Sequence, residues 1–168
     1  MRIADRPGSG PGAAEIDRLA ALFSAGRLGE AEAVARQMIQ TWPDHGFGWK
    51  VLGTVLAAQG RPLEALPVLE RSLAQLPSDP ETHSNLGKVL QDLGRSAEAE
   101  ASCLQALGLR PEFHGAHHNL GNALMSLGRT PEAEESLRRA LALAPDYSEA
   151  YSDLGCLLQS VGRLPEAE

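Results

Sequence analysis

Aromatic residues are scarce: Phe, Trp and Tyr together make up 4% of the 168 residues. That shortage excludes a sandwich or barrel core built on large rings and β-branched side chains. Ala, Leu and Gly carry an apolar fraction of 43%, a mix suited to small helices packed closely together. Cysteine is limited to Cys103 and Cys156, which form no CxxC pair. No disulfide framework is therefore expected, and a reducing, cytoplasmic setting is the default. Basic residues are outnumbered, 15 against 22 acidic, for a net charge of −7. Phosphate recognition needs clustered Lys and Arg, so neither nucleic acid nor an anionic membrane surface is an expected partner. No apolar run reaches the roughly 18 residues of a spanning helix. The opening MRIADRPGSGPG has no apolar signal-peptide core, and its Gly and Pro content predicts a disordered lead-in over residues 1–12.

What is present is a repeat. Gly-Arg occurs at 26, 60, 94, 128 and 162, Leu-Gly at 52, 86, 120 and 154, and Pro at 43, 77, 111 and 145. Every interval is 34, and three markers in one register define the unit. Each period divides into two helices. In the unit from Pro80, Leu86, Val89, Leu90 and Leu93 fall at helical spacing, and Gly94 follows where a helix terminus favours positive φ. The second helix is expected to start with Ser96 as its N-cap, as Thr130 starts the next copy ahead of Pro131. Mid-helix Gly87, Gly121 and Gly155 each cost about 1 kcal/mol relative to Ala. They make sense if a neighbouring helix approaches closely, with Ala99, Ala133 and Ala167 as the small partners.

These markers resemble the tetratricopeptide repeat. Its Trp slot holds Trp49, His83, His117 and Tyr151; its Leu-Gly slots match in all four units; its later Ala slot holds Ala65, Ala99, Ala133 and Ala167. The resemblance implies an all-α fold, a right-handed superhelical α-solenoid of antiparallel helix pairs spanning 13–168. The expected units are a divergent cap over 12–45, with Glu15 and Leu19 in the Trp and Gly slots, then 46–79, 80–113, 114–147 and 148–168. The last unit is shorter by most of its second helix, which predicts a fragment of a longer protein. Self-association is expected there through Leu157, Leu158 and Val161.

Catalytic and metal chemistry find little support. His114, His117 and His118 cluster in "HGAHHNLGNAL", but His117 occupies the inter-helix slot and His114 the helix start, leaving His118 alone for the groove. Zinc wants three or four ligands. Cys103 reads as a small core residue, and Cys156 has no general base in a recognisable arrangement. Phosphate-loop, HExxH and GxSxG patterns are absent. No enzyme activity, cofactor or metal is expected.

In the family that the repeat resembles, partner contacts come from positions 2, 5, 6, 9, 12 and 13 of each unit. That maps the groove onto Lys50, Thr54, Asn85, Lys88, His118, Asn119, Asn122 and Asp153, with Gln91 and Ser126 further along the same face. Asn85 and Asn119 share position 6, where an amide's donors and acceptor suit a peptide backbone of any sequence. A generic solvated helix face is the bland alternative. The carboxylate clamp of chaperone-tail-binding repeats is disfavoured by Thr54, Gly115, Glu149 and Asp153. "HSNLGKVLQDLGRSAEAEASCLQAL" is similar to the repeats of O-linked N-acetylglucosamine transferases and SPINDLY-type proteins. The expected function is a scaffold that binds an extended polypeptide segment. The alternatives are the substrate-recognition arm of such a transferase, its catalytic domain lying elsewhere, and a self-assembling structural segment.

Overall fold

The computed structural model describes residues 10–162, and among these every regular element is a helix. Their order is α1 (Ala13–Ser24), α2 (Leu28–Thr41), α3 (Gly46–Ala58), α4 (Pro62–Gln75), α5 (Pro80–Asp92), α6 (Ser96–Leu109), α7 (His114–Ser126), α8 (Thr130–Leu143) and α9 (Ser148–Ser160). This is the all-α helical repeat expected. Residues 1–9 of the expected lead-in and everything after Gly162, Ala167 included, lie outside the described residues. The chain divides into two compact units, Met1–Pro77 with α1–α4 and Ser78–Glu168 with α5–α9.

The Gly-Arg marker is a turn. Among the described residues, positive φ occurs only at Gly26, Gly60, Gly94, Gly128 and Gly162, at 67° to 76°. At each of the first four, the Gly N–H and the following Arg N–H reach back to the last turn of the preceding helix. Gly94 donates to Gln91 O at 2.9 Å and Arg95 to Leu90 O at 2.8 Å. That is the paired 5→2 and 6→1 closure for which glycine is the low-strain residue. The same arginine then opens the next helix, so the N-caps are Arg95 and Arg129. Ser96 and Thr130 are instead the first helical residues, because the Arg95 carbonyl already accepts from Ala99 N at 3.0 Å. Each arginine side chain folds onto the glutamate three residues on. Arg27–Glu30 is 2.6 Å, Arg61–Glu64 2.7 Å and Arg95–Glu98 2.6 Å, and Arg129 pairs likewise with Glu132. Arg61 and Arg129 also reach back to Glu32 (2.8 Å) and Glu100 (2.5 Å), each on the second helix of the preceding pair.

Close helix approach accounts for Gly87 and Gly121, whereas a Cβ on Gly155 would meet nothing within 4 Å among the described residues. The side chain met also differs from expectation. A Cβ on Gly121 would lie 2.8 Å from Leu137 Cγ, and one on Gly87 would lie 2.5 Å from Cys103 Sγ. Ala99 and Ala133 contribute their carbonyl oxygens to these contacts, at 3.2 and 3.4 Å. The side chain received is the one four residues later, a full helical turn along α6 or α8.

In the first unit Leu19, Leu22, Ala31, Met38 and Val55 form one buried cluster. In the second, α7 packs against α5, α6, α8 and α9, and the core gathers Cys103, Leu120, Leu124, Leu137, Leu154, Leu157 and Leu158. Leu157 and Leu158, expected to be exposed, are 3% and 0% accessible because they belong to that core; Val161 is 43% exposed.

Candidate functional site

The second unit brings four of the expected groove residues to one place. Lys88 on α5 and His118, Asn119 and Asn122 on α7 line a recess of about 80 Å³ with Gln91 and Asp92. Helical periodicity sets this up. Lys88, Gln91 and Asp92 are three and four apart on one face of α5, as His118 and Asn122 are on α7.

Three of the side-chain ties that join α5, α7 and α9 link residues 35 apart. Asn119 Nδ2 donates to Ser84 Oγ at 3.0 Å and to Ser84 O at 3.2 Å. His118 Nε2 lies 2.7 Å from Asp153 Oδ2. Gln91 Nε2 lies 2.6 Å from Ser126 Oγ. The 35-residue step is one more than the repeat, so position 5 of one unit meets position 6 of the next, and position 12 meets position 13.

His118 is 8% exposed and has both ring nitrogens engaged. Its Nδ1 lies 3.0 Å from the Tyr147 hydroxyl, and the two rings pack edge-on with centroids 4.9 Å apart. With the phenol donating to Nδ1, Nε2 carries the proton and donates to Asp153. Asn122 Nδ2 donates to the same Asp153 oxygen at 2.9 Å. Burial, then the charges of Glu149 and Asp153, raise the Tyr147 pKa above the ordinary phenol value, which keeps it a hydrogen-bond donor.

Gln91 has a different status. Its Oε1 is buried and has no hydrogen-bond partner. Exchanging the amide's oxygen and nitrogen would leave the NH₂ end unanswered instead, so one polar end of this side chain is unanswered either way. Lys88 and Asp92 pair at 3.0 Å at the rim, both partly exposed.

The remaining expected residues lie elsewhere. Asn85 is on α5, half-buried beside Ser84. Lys50 and Thr54 belong to α3 in the first unit, where Thr54 Oγ1 donates to Lys50 O at 2.9 Å and the Lys50 ammonium sits 5.6 Å from the Phe47 ring centre. Tyr147 carries no signal in the repeat pattern, because it sits one residue ahead of α9 at no groove position. Among the described residues no three His, Cys, Asp or Glu side chains are grouped to hold a metal. His117 Nε2 is 2.8 Å from Pro111 O. Cys103 is buried, which pushes its thiol up to about 12, and Cys156 is exposed.

Two family models for the tetratricopeptide repeat match the sequence, one over 84–148 and again over 118–168, the other over 56–106. The chain belongs to the tetratricopeptide repeat family. Solved tetratricopeptide structures agree in fold. TTC0263, a thermophilic TPR protein of Thermus thermophilus, superposes with a TM-score of 0.81 at 24% identity, over 91% of this chain and 84% of that one. MamA from Desulfovibrio magneticus RS-1 gives 0.76 at 17% identity, over 99% and 91%. The first TPR of Spaghetti (RPAP3), bound to the HSP90 peptide SRMEEVD, gives 0.65 at 26% identity, over 70% and 93%. No curated protein sequence matches the chain. Tetratricopeptide proteins are generally non-catalytic repeat scaffolds, and members commonly bind peptides. No described helix is long and apolar enough to cross a membrane.

Proposed function

We propose that this tetratricopeptide chain is a non-catalytic interaction module whose second unit binds an extended polypeptide at the recess between α5 and α7. The observation that carries the reading is the buried, unanswered end of the Gln91 amide in a recess lined by Lys88, Asp92, His118, Asn119 and Asn122. An unanswered buried polar group costs roughly 1–3 kcal/mol, and a peptide group offers both the N–H and the C=O that could answer it. An extended segment suits the task because its backbone groups are not already paired, as they would be within a helix. The peptide bound by the RPAP3 repeat supports the same class of ligand. A strongly acidic tail is disfavoured here by the net charge of −7 and by Glu149 and Asp153.

In this reading Asn119 and Asn122 hold the recess in shape, since their amide N–H groups are committed to Ser84 and Asp153. Gln91 then makes the contact with the ligand backbone. No cofactor enters, nucleic acid is disfavoured by charge, and the exposed thiol of Cys156 suits a reducing cytoplasm. The transferase-arm alternative rests on sequence likeness alone. Self-association at the C-terminal end rests on exposed Val161 and Tyr151.

The test is an array of unstructured ten-residue peptides, followed by calorimetry on the strongest binder. Gln91→Met keeps the side chain's length and removes both polar atoms. It should weaken binding about tenfold, the worth of one hydrogen bond. N-methylation of the peptide N–H facing Gln91 should cause the same loss in the wild type and no further loss in the variant. A folded Gln91→Met chain that binds as tightly as wild type sinks the proposal.

A further inference from the structure

A second concavity lies between α7 and α8, on residues none of which line the recess. It measures about 490 Å³ and is bordered by His117, Leu120, Glu135, Arg139 and Ala142. In the first unit a tryptophan fills the corresponding corner. Trp49 stands where His117 stands, 68 residues earlier, and Leu52, Arg71 and Ala74 correspond to Leu120, Arg139 and Ala142. The Trp49 indole lies under the Arg71 guanidinium, 5.9 Å from ring centre to Cζ, and its Nε1–H donates to Pro43 O at 2.8 Å. His117 Nε2 lies 2.8 Å from Pro111 O, the carbonyl at the same offset of six residues. The imidazole therefore reproduces the indole's hydrogen bond and omits its six-membered ring. Arg138 and Arg139 both border the concavity; Arg138 pairs with Glu134, and Arg139 holds an exposed position on α8.

We infer that the notch over His117 is a docking site for the tryptophan side chain of a partner protein. Its indole lies over the His117 imidazole and beneath Arg139, covering the space that the six-membered ring of Trp49 fills in the first unit, with the ring face toward the guanidinium. The Glu135 carboxylate at the rim is an acceptor for the indole N–H, and Leu120 and Ala142 receive the ring's apolar edge. The corner is thus built by the repeat and left open because His117, with Arg139 above it, stands where the first unit has the larger Trp49 beneath Arg71.

The test uses the full chain, ¹⁵N-labelled, titrated with N-acetyl-tryptophanamide and followed by two-dimensional NMR. Saturable shifts confined to α7 and α8, including the Arg139 side-chain N–H, are expected. His117→Trp supplies the missing ring from within while keeping the donor to Pro111, and it should abolish the titration. Arg139→Gln lies on an exposed helix face and should weaken binding two- to fivefold, the roughly 0.5–1 kcal/mol of an exposed cation–π contact. The inference is overturned by any of four results: no saturable shift; equal shifts from N-acetyl-leucinamide; tighter binding of indole-3-acetate than of the amide, which assigns the notch to a free anionic ligand; or unchanged titration of a folded His117→Trp or Arg139→Gln chain.

Discussion

Replacing Asp153 by Ala takes away one carboxylate oxygen that accepts from two donors, His118 Nε2 at 2.7 Å and Asn122 Nδ2 at 2.9 Å. The two losses differ in weight. His118 is 8% exposed and cannot turn its N–H to solvent while Tyr147 holds Nδ1. It bears most of the roughly 1–3 kcal/mol cost of an unanswered buried donor. Asn122 is half-buried and can swing its amide toward water. The sum comes to about 2–3 kcal/mol for Asp153→Ala, and about 1 kcal/mol for Asp153→Asn, which keeps one acceptor. Helical repeats can unfold in parts, so the probe must be local. Trp42 and Trp49 are the chain's two tryptophans and Tyr147 and Tyr151 its two tyrosines. Urea unfolding read by the tyrosine near-ultraviolet band therefore reports on the second unit, and tryptophan fluorescence on the first. A tyrosine-detected loss below about 0.5 kcal/mol for Asp153→Ala would refute the reasoning, because water would then be answering His118 as well as the carboxylate does.

Gly128→Ala, at φ 74° with nothing within 4 Å of the added methyl, should cost about 1–2 kcal/mol through backbone strain alone, read as a lower urea midpoint of the tyrosine band. Asn119→Ala should lower stability by about 1 kcal/mol by cutting the tie to Ser84, and a double cycle with Ser84→Ala should return as coupling only the share carried by Ser84 Oγ, since the bond to Ser84 O survives that substitution. In the native chain one thiol, Cys156, should react rapidly with Ellman's reagent, while buried Cys103 reacts only on unfolding. At alkaline pH stability should fall. Cys103 titrates at about 12 when folded against an ordinary 9.0, so the unfolded chain loses its proton first. Its contribution is complete below pH 9.0 and lost as pH rises toward 12, and Cys103→Ala should flatten that slope in a pH series of urea midpoints. On the acid side, Glu32, Glu64, Glu98 and Glu132 are held below the ordinary carboxylate range by Arg36, Arg61, Arg95 and Arg129. Their contribution is present at neutral pH and disappears as pH falls through those lowered values.

The turns were legible because a helix terminus of this kind asks for a backbone conformation that glycine adopts with little strain, so Gly26, Gly60, Gly94 and Gly128 announce themselves at a fixed step. Helix starts were misplaced by one residue, since Ser96 and Thr130 look like caps while the accepting carbonyl belongs to the arginine before them. The shared face of Lys88, Gln91, His118 and Asn122 was legible as helical spacing on α5 and α7. Its inner bonding was not, because Asn119–Ser84 and His118–Asp153 pair residues one step out of the repeat register. Aligning the units in register conceals such pairs. Tyr147 escaped for a related reason, lying on the connection ahead of α9. Leu157 and Leu158 looked like a bare face, yet they turn toward α8 and complete its core.

The 35-residue tie bears on how such a chain can be rearranged. The α7–α8 repeat carries halves of two different pairs: α7 offers Asn119 to the repeat before it and His118 to the repeat after it. Duplicating the α7–α8 unit in tandem would set a second Asn119 against His118 where Asp153 now stands, and the imidazole would meet a neutral amide in place of the carboxylate. Exchanging α5–α6 with α7–α8 would leave Asp153 opposite Ser84. The units share a fold, but their order along the chain is written into unlike side chains at the seams, so they are not interchangeable parts.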